Sequence, residues 1–198
     1  MIEIVIASHN LHKIREFREM LKVFKHFDVL SLLNFPHYTL PEETGRTFEE
    51  NATQKALDAA HVLNKWVLAD DSGLVVPSLN GEPGIFSRRF AGEEATDAEN
   101  RQKLLLKMKD FSDDKRWCYY ECCLALASPE GIEKIAIGRC EGRITKGPKG
   151  RNGFGYDPLF VKSDYDKTFA EIKEEVKNLI SHRRKAFEKL SVILEGLT

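Results

Sequence analysis

Apolar residues near the start of the chain form a pattern that changes from strand to helix. Residues 2–7 are a continuous, largely β-branched run, which predicts a buried strand. After a polar turn, apolar side chains recur at helical spacing from about residue 12 to 25, and residues 27–32 predict a second strand. The pattern therefore predicts the order strand, turn, helix, strand.

Two sequences of the type Thr-x-x-Glu indicate the beginnings of two further helices. Thr47 with Glu50, and Thr96 with Glu99, are capping boxes. In such a box the threonine hydroxyl accepts a hydrogen bond from a helix N–H, and the glutamate reaches back to the start of the helix. The apolar residues that follow each box recur at helical spacing, so we predict a helix after both.

Short strands and a hairpin account for most of the middle of the chain. Residues 66–69 predict a strand that ends on an acidic turn at 70–73. Residues 116–127 and 132–145 predict two long strands, joined by a turn at 128–131. The hairpin differs from the alternation of helices and strands that precedes it.

The last quarter of the chain begins with a basic, glycine-rich loop at 146–158. A short strand is predicted at 159–161, followed by a helix from about 174 to 195 with an interruption near 179–181. This order of elements predicts a mixed α/β fold, with two lobes around a cleft. Since no internal repeat or linker is present, we expect residues 1–198 to form a single domain.

Charge and cysteine content exclude some classes of protein. The 30 lysines and arginines are balanced by 31 aspartates and glutamates, which argues against broad nucleic-acid binding because that needs a basic excess. The four cysteines match no zinc-site spacing and are interpreted as buried, reduced thiols, which predicts a cytoplasmic protein. The first apolar run is too short for a signal peptide, and no segment approaches the ~20 apolar residues of a membrane helix.

The segment Ser8–Lys13 lies where the first predicted strand ends and the first predicted helix begins. Backbone N–H groups and the helix dipole attract anions at such a position. Ser8, Asn10 and Lys13 could bind phosphate oxygens there. The alternative is a helix cap by Asn10 followed by an exposed lysine. The segment is not a Walker P-loop, because the chain contains no G-x-x-x-x-G-K-[ST] sequence.

Carboxylates follow the strand predicted at 66–69. Asp70 and Asp71 could bind a hard cation through oxygen. Neighbouring side chains of a strand point to opposite faces, so we expect only one of the two to face a site. Glu42 and Glu43 could complete a metal site. For all four residues, ordinary solvated acids are the alternative.

Two later segments carry groups that can contact a nucleotide base. Phe154 and Tyr156 lie between glycines in the basic loop, where aromatic rings can stack on bases. Alternatively, either ring could fill the core at a sharp turn. Lys177, His182 and Arg183 could donate hydrogen bonds to base carbonyls, or could belong to a solvated helix face. Together, the four segments supply the parts that a nucleotide enzyme requires.

Five motifs in series connect these segments with a known family. They are SHN-x-x-K, LADDSGL, GIFSRRFAG, NGFGYDPLF and EEVKN-x-ISHR, in a match that runs from residue 2 to about 190. In this order they resemble the inosine triphosphate pyrophosphatase family, which removes non-standard purine nucleotides. The resemblance implies an elongated mixed-sheet α/β fold with two lobes around a central nucleotide-binding cleft, usually as a homodimer. It implies Mg²⁺-dependent hydrolysis of ITP, dITP, XTP or dXTP to the monophosphate and pyrophosphate.

The resemblance also implies roles for individual positions. Asp71 would be the principal metal ligand and general base, Glu42 the second acid at the metal, and Lys13 the cation that stabilises the leaving pyrophosphate. Residues expected at the triphosphate are Ser8, His9, Asn10, Leu11, His12, Lys13 and Ser72. Residues expected at the sugar and base are Phe154, Gly155, Tyr156, Asp157, Lys177, His182 and Arg183.

Two histidines depart from the usual family pattern. His9 and His12 stand where glycine is common, so their side chains could crowd the phosphates or add contacts to them. In the base site, His182 and Arg183 aimed at the 6-oxo group of inosine or xanthosine would favour those bases over adenine, whose amino group would face a donor.

Other functions use some of the same residues. A house-cleaning pyrophosphatase for other modified nucleotides would need the same phosphate and metal groups. A non-catalytic nucleotide-binding module could keep the pocket, although the paired acids Asp70 and Asp71 argue against it. A single-stranded nucleic-acid binder using Phe154 and Tyr156 is disfavoured by the near-zero net charge. We therefore expect a small nucleotide as the ligand, and neither nucleic acid nor a membrane as a partner.

Overall fold

The structure, a computed structural model, describes residues 1–197. Its strands are β1 (Ile2–Ile6), β2 (Phe27–Ser31), β3 (Trp66–Val75), β4 (Trp117–Ser128), β5 (Gly131–Ile144) and β6 (Phe160–Lys162). Its α-helices are α1 (Leu11–Leu21), α2 (Phe48–Leu63), α3 (Asp97–Lys107), α4 (Glu174–Ile180) and α5 (His182–Gly196). The predicted mixed α/β class is confirmed.

The six strands form one sheet in the order β2-β1-β3-β4-β5-β6. Strand β1 is parallel to both β2 and β3, and β6 is antiparallel to β5. Parallel strands that are covered on both faces are typically continuous apolar runs, and Ile4, Val5 and Ile6 of β1 are fully buried. Strand β1 is parallel to β3, and Ile6 lies opposite Leu68. The segment after β1 and the residues Asp70 and Asp71 of β3 therefore lie at the same end of β1.

The chain divides into two compact units. Unit 1 consists of Met1–Asp71, Cys122–Gly138 and the C-terminal segment that begins at Arg183. Unit 2 consists of Ser72–Glu121 and Arg139–His182. Strands β3, β4 and β5 each contribute residues to both units.

Each unit has a hydrophobic core of its own. In unit 1, Phe17 of α1 and Phe187 of α5 belong to one cluster with the apolar residues of the strands. In unit 2, the rings of Phe160 and Phe169 pack with centroids 4.8 Å apart. The four cysteines are free and buried, as the composition predicted. No helix within residues 1–197 combines the length and the apolar character needed to cross a membrane.

The helix starts predicted at the two Thr-x-x-Glu sequences are confirmed, but the glutamate of the first sequence has a different hydrogen-bond partner. Thr47 caps α2 by accepting from the Glu50 N–H at 3.1 Å, but the Glu50 carboxylate accepts from the Arg46 N–H rather than from Thr47. Both halves of the second capping box, Thr96 with Glu99, are present at the start of α3. The predicted interruption of the last helix is also confirmed, because Ser181 separates α4 from α5.

The predicted ends of one helix and one strand are wrong. Helix α1 ends at Leu21 rather than near residue 25, and Phe24 reaches the unit 1 core from the turn beyond the helix. Strand β3 does not end before an acidic turn, since it continues through Asp70 and Asp71 to Val75. Both aspartates are buried, at 4% and 6% exposure. Partners elsewhere in unit 1, described below, allow the two carboxylates to lie inside the strand.

Candidate active site

The segment Ser8–Lys13 connects β1 to α1 in unit 1. Asn10 is the N-cap of α1, and its side-chain oxygen accepts from the N–H groups of His12 and Lys13 at 2.9 and 3.2 Å. The Ser8 hydroxyl oxygen accepts from the Asn10 N–H at 3.1 Å. The side-chain oxygen of Asn10 therefore caps the helix, which was the alternative interpretation of this segment. An anion at this position would meet side-chain donors as well as the remaining backbone N–H groups.

Asp70 holds two cations inside unit 1. Its Oδ2 accepts from Arg183 Nε at 2.9 Å and lies 3.2 Å from Lys13 Nζ. Arg183 also donates through a terminal nitrogen to Glu16 at 3.1 Å. Burial alone would raise the pKa of Asp70, but Lys13 and Arg183 outweigh it and hold that pKa far below its usual range. Asp70 is thus an ionised anchor for two cations rather than a carboxylate open to a metal ion.

Asp71, the next residue, contacts a different set of side chains. Asn51 donates to its Oδ2 at 3.0 Å, and Lys55 Nζ lies 3.7 Å from its Oδ1. Lys55 also donates to Glu43 at 2.6 Å and to the Asp70 carbonyl oxygen at 2.9 Å. Burial raises the pKa of Asp71, while Lys55 opposes that rise. Asp71 therefore belongs to a cluster of two carboxylates around one ammonium group.

The two neighbouring glutamates have different surroundings, and the role of Glu42 at the metal stays a prediction. Glu42 is exposed, whereas Glu43 is paired with Lys55, which in turn approaches Asp71. Sequence reasoning missed Lys55 and Asn51. A signal for them was present, because both are polar residues one helical turn apart on the alanine-rich face of α2 that its periodicity predicts to be buried.

The donor set around Asp71 suits a hard divalent cation that is bound together with a substrate. Within residues 1–197, no group of three or more His, Cys, Asp or Glu side chains could hold a metal ion by itself. Mg²⁺ is commonly bound by one or two carboxylates, with phosphate oxygens and water completing its shell. Asp71 and Glu43 offer such carboxylates, and the ammonium group of Lys55 shows that positive charge is stable between them.

The glycine-rich loop of unit 2 is organised around Asp157. Its Oδ2 accepts from Lys177 Nζ at 2.7 Å and from the Phe154 N–H at 3.0 Å, and the Tyr120 hydroxyl lies 3.3 Å from Oδ1. Lys177 Nζ lies 4.7 Å from the centroid of the half-buried Phe154 ring. Gly153 has φ +73°, and a Cβ there would be 2.1 Å from Asp157 Oδ2. A side chain at position 153 would therefore disrupt the loop.

The two aromatic rings of this loop have different surroundings. Tyr156 is 3% exposed and donates its hydroxyl to the Ser87 carbonyl oxygen at 2.9 Å, so it fills the core of unit 2. Phe154 keeps part of its ring exposed. His182 is buried and stacks on Tyr120, with centroids 4.6 Å apart and an interplanar angle of 10°. Phe154, Asp157 and Lys177 are thus in direct contact, and Tyr120 connects Asp157 to His182.

Arg183 binds two carboxylates of unit 1. Although it follows His182 directly in sequence, it belongs to unit 1, where its guanidinium binds Asp70 and Glu16. Donation from Arg183 to a base carbonyl stays a prediction. Among the remaining positions, His9, Leu11 and His12 are exposed and Ser72 is half-buried.

Nearly the whole chain matches proteins of a known family. The model of the Ham1 family matches residues 4–193. The chain belongs to the Ham1 family. It is 64% identical over 197 residues to a Protochlamydia amoebophila protein named dITP/XTP pyrophosphatase, covering 99% of each chain. It is also similar to the Ham1 protein of Staphylococcus aureus, at 45% identity and a TM-score of 0.87 over 98% of both chains. The corresponding values for a HAM1 protein from Coxiella burnetii are 42% and 0.89 over 100% of both chains.

Membership of the Ham1 family confirms the resemblance inferred from the sequence motifs. In this Ham1-family chain, SHN-x-x-K and the first half of LADDSGL lie in unit 1, around the carboxylates Asp70 and Asp71. NGFGYDPLF lies in unit 2, around Asp157. The first group is rich in carboxylates and ammonium groups, while the second combines aromatic rings with one buried ion pair.

Proposed function

We propose that the protein hydrolyses non-canonical purine nucleoside triphosphates to the monophosphate and pyrophosphate, and so removes them from the nucleotide pool. Its substrates would be ITP and dITP, or XTP and dXTP. The observation that carries this proposal is the cluster of Asp71, Glu43 and Lys55. It lies in a chain that is 64% identical to a dITP/XTP pyrophosphatase. Such a cluster can bind a metal–triphosphate complex and activate water.

The proposal includes Mg²⁺ as the cofactor, held by Asp71 and Glu43. When bound, Mg²⁺ would offset the negative charge of the phosphate oxygens and make the α-phosphorus more electrophilic. Two carboxylates suit this ion, because the substrate supplies phosphate oxygens as further ligands. Lys55, which already spans both carboxylates, would then be able to donate to a phosphate oxygen.

Asp71 would orient and deprotonate the attacking water. Asn51 donates to one of its oxygens at 3.0 Å, which orients the carboxylate to accept a proton. The water oxygen would attack the α-phosphorus in line, its proton would pass to Asp71, and pyrophosphate would leave. Burial in unit 1 keeps this carboxylate in a fixed orientation before the substrate arrives.

The segment Ser8–Lys13 would hold the triphosphate. Lys13 keeps 17% of its side chain exposed while it pairs with Asp70, so its ammonium group can turn towards phosphate oxygens and stabilise the leaving pyrophosphate. Asp70 would retain Arg183 as its partner. The Ser8 hydroxyl and the Asn10 amide would donate to phosphate. Further contacts would come from the exposed residues His9, Leu11 and His12, and from Ser72.

The Phe154 loop of unit 2 would bind the base and sugar. The half-buried Phe154 ring offers a face for stacking, and Gly155, Tyr156 and Asp157 shape the loop around it. Lys177 and His182 would supply hydrogen-bond donors for a 6-oxo group. An adenine amino group would face the same donors without an acceptor, which favours inosine and xanthosine over adenosine.

The proposal also covers the state and compartment of the enzyme. Four free, buried cysteines suit the reducing cytoplasm, and the near-zero net charge disfavours nucleic acid as a partner. Assembly as a homodimer rests on the family resemblance alone. Light scattering on the purified full chain would test it, since the monomer mass is 22.6 kDa.

The decisive experiment is a substrate panel. Pyrophosphate release is measured from ITP, dITP, XTP, GTP and ATP, with Mg²⁺ and with a chelator. We expect ITP and XTP to exceed ATP in kcat/KM by at least about 10²-fold, and we expect the chelator to abolish release. Preference for modified pyrimidine nucleotides would favour the alternative house-cleaning role. Binding of inosine monophosphate without any pyrophosphate release would indicate a non-catalytic module.

A further inference from the structure

Side chains of helix α3 bind both peptide groups that flank Gly155 in the Phe154 loop. The Gly155 N–H donates to Asp97 Oδ2 at 2.7 Å, and the Gly155 carbonyl oxygen accepts from a terminal nitrogen of Arg101 at 2.7 Å. Asp97 and Arg101 are four residues apart, so their side chains lie on one face of the helix. Both hydrogen bonds involve a charged partner, which makes them stronger than bonds between neutral groups.

The conformation of Gly155 explains why these two bonds matter. Its φ is +58°, and a Cβ placed there would meet no atom within 4 Å. The backbone conformation, and not a lack of space, therefore selects glycine at this position. Glycine is also the most flexible residue, so the backbone at Gly155 would be mobile if nothing held it. Asp97 and Arg101 hold it in one orientation.

The support that Asp97 and Arg101 provide is itself fixed in unit 2. Helix α3 begins with the complete capping box of Thr96. One turn along, the Asn100 side chain accepts from the Ala91 N–H at 2.7 Å and donates to the Arg88 carbonyl oxygen at 2.9 Å. These bonds attach the start of α3 to the segment that precedes it. Gly155 is therefore bound to a well-anchored part of the unit.

Phe154 directly precedes Gly155, the residue that the side chains of α3 bind. Its own N–H is bonded to Asp157 at 3.0 Å, and the Lys177 ammonium group lies 4.7 Å from its ring centroid. The backbone on one side of the ring is thus fixed by Asp157, and on the other side by the α3 side chains at Gly155. Loss of either support would leave the ring free to leave the stacking position.

We propose that Asp97 and Arg101 are positioning residues for base binding. They fix the backbone on both sides of Gly155 so that the Phe154 ring is in place before the nucleotide arrives. The inference rests on the proposed function, because it takes Phe154 as the surface on which the base stacks. Asp97 and Arg101 should affect nucleotide binding and not the chemical step, since neither residue belongs to the cluster around Asp71.

Kinetics of the variants Asp97→Ala and Arg101→Ala test this inference. Each change removes one charge-assisted hydrogen bond, so we expect KM for ITP to rise about tenfold while kcat stays within about twofold. Because both side chains hold the same residue, Gly155, the double variant should raise KM by less than the product of the two single effects. Asp97→Asn keeps an acceptor oxygen and should restore most of the affinity.

The matched control is Gln102→Ala, an exposed residue on the same helix next to Arg101, which should leave KM unchanged. A purely structural role would lower the melting temperature of Asp97→Ala and Arg101→Ala while leaving KM for ITP at the wild-type value. That result, in variants that remain folded, would overturn the inference.

Amide hydrogen exchange provides a readout that needs no turnover. In the ligand-free protein, exchange across residues 153–157 should be at least about tenfold faster in both alanine variants, with the middle of α3 still protected. Unchanged exchange in both variants, or faster exchange without a change in KM, would contradict the inference. If the wild-type protein released no pyrophosphate from any nucleotide, the proposed function would fail. The inference would then be judged on calorimetric affinity for inosine monophosphate together with exchange.

Discussion

Arg183 donates through Nε to Asp70 at 2.9 Å, and the two side chains are only 4% and 2% exposed. The same guanidinium also binds Glu16 of α1 at 3.1 Å. One side chain of α5 is therefore attached to β3 and to α1. Because Lys13 shares the Asp70 carboxylate, the proposed phosphate-binding segment belongs to the same buried ion cluster.

Removal of this guanidinium should destabilise the protein strongly. In Arg183→Met, Asp70 and Glu16 would stay buried after losing their shared cation, which typically costs about 3–5 kcal/mol of unfolding free energy. The matched control is Arg184→Met, since Arg184 pairs with Glu188 on a more exposed part of the same helix and should contribute about 0–1 kcal/mol. Urea unfolding measures both. Equal effects in the two variants would contradict the assigned role of the buried pair.

The contribution of Asp70 to stability should depend on pH. Burial opposes ionisation of this carboxyl, but Lys13 and Arg183 hold its folded-state pKa well below the ordinary value of about 3.9. The unfolded chain therefore takes up the proton first on acidification. The stabilisation is complete above the unfolded pKa and is lost as pH falls through that value towards the folded one. Urea unfolding of wild type and Asp70→Asn, at pH 7 and at a series of values down to about 3, measures the difference in unfolding free energy between the two proteins. This difference should shrink as the pH falls. A constant or growing difference would refute this assignment.

Two adjacent glutamates allow a direct test of the metal site. Glu43→Gln should raise the Mg²⁺ concentration for half-maximal pyrophosphate release by roughly 10–100-fold, because it removes one carboxylate near Asp71. Glu42→Gln changes an exposed side chain and should leave this concentration within about twofold. Mg²⁺ titrations of ITP hydrolysis measure both. The reverse order would favour Glu42 as the second acid at the metal.

Asp71→Asn should remove most turnover without unfolding the protein. The amide keeps the shape of the side chain but is a poor proton acceptor, so we expect kcat to fall about 10²–10⁴-fold. Asp28→Asn, an exposed aspartate on β2, serves as the control and should retain full activity. Circular dichroism checks the fold of both. A variant at position 71 with near-normal kcat would rule out the role of this carboxylate as the general base.

The elements that the sequence predicted well are those that local patterns determine. The run at 2–7, the two threonine caps and the break at Ser181 depend on neighbouring residues, and all of them are present in the structure. The end of β3 was wrong because Asp-Asp-Ser-Gly is typical of a turn. The partner that keeps Asp70 in the strand is 113 positions away, and a distant partner can override local preference.

The candidate site was predictable by segment and less so by residue. Glu42 and Glu43 are equivalent in any local pattern, and only the packing of α2 brings Lys55 to Glu43. Lys55 lies on the face of α2 that the alanine spacing predicts to be buried, but that spacing does not reveal its partners. His182 and Arg183 are adjacent in sequence, yet His182 stacks on Tyr120 in unit 2 while Arg183 donates to Asp70 in unit 1. Local patterns contain no information about the boundary between the two units.

The discontinuous composition of unit 1 has a consequence for how each molecule is made. Its core combines residues near the N-terminus with Phe187, Leu190 and Leu194 of α5, whereas the whole of unit 2 precedes Arg183 in the chain. During translation, the segments of unit 2 are therefore complete before the ribosome has made the residues that cover Phe17. A nascent chain arrested before α5 would expose this apolar surface to chaperones and proteases. Residues of α5 that are made after all of unit 2 thus decide whether the apolar residues of α1 are protected.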